Sequence, residues 1–83
     1  MNREYMIKAV NDRLTELKQQ YRNACKNISI TGKELTYNGA ACLRKRLKKD
    51  ICTLSLIAEL LKQYKGELTD PDAILGFEKL VRD

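Results

Sequence analysis

From Ala40 to Lys65 the chain runs 26 residues without a proline or glycine. Within that run Ala40, Leu43, Leu47, Ile51, Leu54, Ala58 and Leu61 recur every three or four positions. That spacing keeps one apolar stripe in register on a helix of about 3.6 residues per turn, so a long helix is expected over about 40–65. Its two halves differ. Between Ile51 and Leu61 the clearly polar residues are Thr53, Ser55 and Glu59, and Cys52, Leu56, Ile57 and Leu60 fall outside the stripe. An apolar belt that wraps most of a helix has to be covered on more than one side. In the first half Leu43 and Leu47 point inward, while Arg44, Lys45, Lys48 and Lys49 form a broad charged face with Arg46 on its flank.

A second helix is expected over about 3–28. Ile7, Val10, Leu14, Leu17, Tyr21, Ala24 and Ile28 alternate three and four apart, widened by Met6 and Cys25. So narrow a seam suits one neighbour, and two to three heptads are too short for a free-standing coiled coil, so the two long helices are expected to form an antiparallel hairpin. Tyr5 points away from the seam. Asp70-Pro71-Asp72 opens a short last helix over about 71–82, with Asp70 as cap, proline at the first position and Asp72 at the positive end. Its face of Ala73, Ile74, Phe77, Leu80 and Val81 is expected to cover part of the belt near Ile57, Leu60 and Tyr64. Gly66, following Lys62 and Lys65, is expected to stop the long helix.

The connection, 29–39, carries two competing signals. Thr31-Gly-Lys-Glu34 has the form of a capping box, with Ile30 and Leu35 as its hydrophobic staple, and favours a helical turn from Gly32. Ile28-Ser-Ile30 and Leu35-Thr-Tyr37 instead alternate about Gly32-Lys33 as a small β-hairpin would. The box uses four matched positions and is preferred. Asn38-Gly39 would cost a continuous helix ~1.5 kcal/mol relative to alanines, so a kink or break is expected there.

The fold class expected is therefore all-α: a long antiparallel helical hairpin, a capped helical turn in its connection and a short C-terminal helix, in one domain spanning 1–83. Four glycines and one proline in 83 residues argue against a sandwich or barrel. A chain this short buries only ~60% of its unfolded surface and gains much from oligomerisation or a partner.

The net charge of +5 is unevenly placed. Residues 1–28 carry six Lys/Arg against three acids, residues 29–50 six against two, and residues 51–83 four against six. Lys18, Arg22 and Lys26 lie four apart along one edge of the first helix. If Tyr21 lies opposite about Arg44, the matching edge of the long helix adds Arg44 and Lys48. Five cations would then converge near the loop end, as an anionic partner requires; the competing view is a solvated face on which the side chains splay into water.

Catalytic signatures are missing: the chain has no histidine, and no glycine-rich phosphate loop, HExxH or GxSxG motif occurs. Asp12 and Glu16 could share a helix face as paired carboxylates do in helical metal sites, but Lys8 and Arg13 beside them favour a solvated surface. No cofactor and no metal is expected. Cys25, Cys42 and Cys52 form no CxxC pair and read as reduced, buried small hydrophobes. With no secretion signal and no stretch of ~20 apolar residues, a cytoplasmic protein off the membrane is expected. A composition rich in lysine, isoleucine and asparagine is compatible with a bacterium or phage of AT-rich genome.

Gly32–Leu35, a turn at Tyr37-Asn38-Gly39 and a basic helix from Ala40 have the outline of a helix-turn-helix. Leu35 stands where a small residue would be wanted, the leading helix is unusually short and the recognition helix long. The function expected is that of a small non-catalytic interaction or regulatory protein, an adaptor or inhibitor that occupies a partner's surface. Cys52, Leu56 and Leu60 form its interface with that partner or with a second copy in a homodimer. The competing expectation is a protein that binds nucleic acid or a phosphorylated ligand through Lys18, Arg22, Lys26, Arg44 and Lys48.

Overall fold

A computed structural model describes residues 1–29 and 31–82. Helix α1 spans Arg3–Cys25, α2 spans Tyr37–Gln63 and α3 spans Pro71–Arg82. The first two pack as a long antiparallel hairpin with the short third helix against it, chiefly on α1. The whole is elongated, 45 × 21 × 16 Å. Its core is the meeting of the two expected stripes: Met6, Val10, Leu14, Leu17 and Ala24 from α1 against Leu47, Leu54 and Leu61 from α2, joined by Phe77 of α3.

Each helix end has a local cause. The Asn2 side chain caps α1 by accepting from the Tyr5 amide at 2.8 Å. The seam pattern carries α1 to Ile28, but the helix stops three residues sooner. Asn27 takes the left-handed conformation at φ 59°, and the Asn27 and Ile28 amides donate back to the carbonyls of Ala24 and Asn23. This is a Schellman stop on asparagine, one of the few non-glycine residues that tolerate it. Arg44 reaches across from α2 and donates to the same Ala24 carbonyl at 3.3 Å.

The connection differs from the capping-box expectation. Thr31 shares a hydrogen bond with the Ser29 hydroxyl at 3.1 Å, Ile28 and Glu34 pair as an antiparallel bridge, and Gly32 turns at φ 86°. The small hairpin is the closer description. A capped turn at Gly32 has no room to grow, because Thr36 already caps α2 by accepting from the Gly39 amide at 3.1 Å. The staple residue Ile30 lies outside the described residues. The expected break at Asn38-Gly39 does not occur, since both sit in the first turn of α2, where amides lack intrahelical partners anyway. A Cβ at residue 39 would meet the Thr36 hydroxyl at 3.0 Å, so glycine here leaves the cap its space. The helix-turn-helix outline goes with the capping box, because Gly32–Leu35 is not helical and Tyr37–Gly39 is no turn.

At the far end α2 finishes at Gln63, and Gly66, at φ 105°, turns the chain beyond it. The turn brings residues 67 and 68 beside the start of the chain. Asn2 and Glu67 form an antiparallel bridge, the Met1 ammonium donates to the Leu68 carbonyl, and the Leu68 amide donates to the Met1 carbonyl, both at 2.8 Å. Asp70 then caps α3 as expected, its carboxylate accepting from the Asp72 amide at 3.1 Å.

Candidate functional site

The hydrogen bond from Arg44 to Ala24 fixes the hairpin register within one turn of that assumed from sequence. Lys48, one turn further along α2, is thereby level with about residue 20 of α1, between Lys18 and Arg22. On the flank carrying α3, Arg13 and Leu17 of α1 and Asp50, Thr53 and Leu54 of α2 line a cleft of about 280 Å³ with Lys79 and Leu80. At about 100° per residue, Lys18 and Arg22 of α1 and Lys48 of α2 fall on the opposite flank. The structure thus brings the five expected cations to one end and gives them unequal tasks. Arg44 is half-buried and bonds a helix-end carbonyl, Arg22 donates to the Gln19 amide oxygen at 2.9 Å, and Lys18, Lys26 and Lys48 are exposed. None of the five has a carboxylate within 4.0 Å among the described residues.

These five belong to a larger segregation of charge. Between residues 18 and 49 there are nine lysines and arginines and one acid, Glu34, while the rest of the chain carries seven cations against ten acids. The hairpin converts that sequence bias into a spatial one, with the loop end of a 45 Å molecule strongly cationic.

The expected interface residues are all on the surface. Leu56 is 67% and Leu60 68% exposed, and Cys52 is exposed beside them. At about 100° per residue they occupy the side of α2 turned away from α1. The last helix was expected to cover Leu60, but it leans on α1 and leaves the cleft between its C-terminal turn and α2 open. Leu75 and Leu80 of α3 are also about half exposed.

One further expectation changes. The three cysteines are free and exposed rather than buried. Cys25 closes the last turn of α1, and Cys42 and Cys52 sit on the outer side of α2, where no second layer exists to cover them. Asp12 and Glu16 are engaged separately, by Lys8 at 2.8 Å and Arg13 at 2.9 Å; the Asp12 hydrogen bond, then its charge, raises the pKa of Lys8. No grouping of three or more metal-binding side chains occurs among the described residues. A feature not anticipated from sequence is Arg13, whose side chain is only 12% exposed and whose Nε is buried with no hydrogen-bond partner among the described residues. Its position at the edge of the α1 stripe, i−4 from Leu17, was the available signal.

No helix among the described residues is long and apolar enough to cross a membrane. Comparison with protein-family models, with curated proteins and with solved structures gives no match.

Proposed function

We propose that this is a small non-catalytic interaction protein, adaptor or inhibitor in type, that works by presenting the outer side of α2 to a partner or to another copy of itself. The observation that carries this is the pair Leu56 and Leu60, each two-thirds exposed on one helix side although the same helix buries Leu54 and Leu61. Leaving two leucines in water forgoes roughly 3–6 kcal/mol of burial, a large share of what a domain this small has available. Three exposed, unpaired thiols fit a reducing compartment such as the cytoplasm.

Leu56→Lys tests the proposal. The variant should keep its helical circular dichroism and its melting temperature at low concentration, while losing any concentration-dependent association seen by light scattering. A variant that unfolds would instead place Leu56 in the monomer's core and end the proposal.

The charge segregation favours a second reading, binding of a nucleic acid or another polyanion at the loop end. If four or five phosphates are engaged, log affinity for random duplex DNA should fall with log salt at a slope of about −4. Lys18→Gln with Lys48→Gln should flatten that slope. Absence of salt-dependent affinity for DNA, RNA or heparin removes this reading.

A further inference from the structure

The outer side of α2 is patterned along its whole length. Lys45, Lys49, Cys52, Leu56, Glu59 and Gln63 are spaced four, three, four, three and four apart, the a/d spacing of a coiled-coil seam, and all six are exposed. Leu60 lies on the flank of this second seam. The core stripe of the same helix faces α1, so α2 carries two seams on opposite sides and the hairpin satisfies one of them.

We infer that the second seam pairs with its own copy, antiparallel, about a two-fold axis passing between Cys52 and Leu56. This rests on the proposal that the outer side of α2 is an interface, and names its occupant and orientation. Charge decides the orientation. A parallel pair would set Lys45 against Lys45 and Lys49 against Lys49 in a seam with little apolar content. An antiparallel pair centred midway between residues 52 and 56 sets Cys52 against Leu56, Lys49 against Glu59 and Lys45 against Gln63. Glu59 is held within its own chain by Lys62 at 3.0 Å, both side chains being well exposed, so Lys49 of the second copy would join a surface pair that is cheap to rearrange. On the larger scale the cationic loop end of each copy lies along the half of the other that carries most of the acids. A two-fold axis makes every contact occur twice and closes the assembly at two copies.

Sedimentation equilibrium at low and moderate salt tests the pairing. Wild type should dimerise with rising concentration. Lys49→Glu alone and Glu59→Lys alone should each raise the dissociation constant about tenfold, because each places two like-charge pairs in the interface. The double variant Lys49→Glu with Glu59→Lys should restore it. Wild type that stays monomeric at every concentration, or a dimer that survives Leu56→Lys, overturns the inference. A dimer that Leu56→Lys dissociates but the charge swap does not rescue overturns the antiparallel pairing and leaves the outer side of α2 standing as the interface. A thiol reagent gives a second measurement on variants retaining one cysteine each. Cys52 should react more slowly as concentration passes the dissociation constant while Cys25 does not change; equal behaviour of the two overturns the pairing.

Discussion

The two halves of α2 have the same inside and different outsides. Leu47 in the first half and Leu54 in the second are 1% and 3% exposed, packed on the same seam of α1. Outward, Lys45, Arg46, Lys48 and Lys49 give the first half a surface that needs no cover, while Cys52, Leu56 and Leu60 give the second a surface that water solvates poorly. One seam is enough to make the hairpin. What the second half adds beyond it is the exposed apolar surface through which we propose that the protein associates.

The comparison can be broken most directly at the core. Leu47→Ala and Leu54→Ala should each cost about 2–5 kcal/mol in urea unfolding, one from each half, while Leu60→Ala at monomer concentrations should stay within about 0.5 kcal/mol. If Leu60→Ala costs as much as Leu54→Ala, the second half is covered in the monomer and the contrast disappears. A smaller effect sharpens where the charged half begins. Thr36→Ala should cost about 1 kcal/mol by loss of its cap, and Thr31→Ala, outside any helix, within about 0.5 kcal/mol. Smaller again, Arg44→Gln should cost about 0.5–1 kcal/mol through its bond to the Ala24 carbonyl, whereas Lys48→Gln should leave the melting temperature unchanged. Equal costs would mean the cationic face is uniform rather than divided between a structural arginine and free lysines.

The smallest effect lies off α2 and serves as a reference for a fully exposed pair. Asp12 raises the pKa of Lys8, first by hydrogen bond and then by charge. Whatever stability the pair adds is present in full below the ordinary lysine pKa and fades as pH rises through the raised one. Lys8→Met should therefore have the same melting temperature relative to wild type at pH 6 and at pH 8.

Much of this was legible in residue order. Periodicity placed all three helices, because helix formation here is driven by apolar stripes that repeat over many turns, and Asp70-Pro71 marked the start of α3 to the residue. The errors are local competitions. At Thr31-Glu34 the capping box lost because a second threonine, Thr36, sits close behind and has 27 helical residues to stabilise. At Ile28 the seam pattern ran on, but Asn27 could take the left-handed turn that ends a helix. Residue type alone points the cysteines to the core, whereas Cys42 and Cys52 are exposed because the outer side of α2 lacks a neighbour and Cys25 because it closes the end of α1. The tilt of α3 was the least legible feature, since the same five apolar residues could cover either α1 or α2. Of the candidate sites, Leu56 and Leu60 emerged from counting faces, while the separate task of Arg44 required the register.

The clasp between Met1 and Leu68 carries a consequence for the order of assembly. These residues are 67 apart in sequence, and closing so long a loop in an unfolded chain is entropically unfavourable. Once α1 and α2 have zipped from the Asn27 turn, only the few residues from Gln63 onward remain to be closed. The contact order of the hairpin therefore sets the pace of folding, and the clasp follows it. By the same logic the clasp is the first part to let go. Brief openings there would free α3 while the hairpin stays shut, and the Leu68 amide should exchange with solvent hydrogen well before those of Leu47 and Leu54.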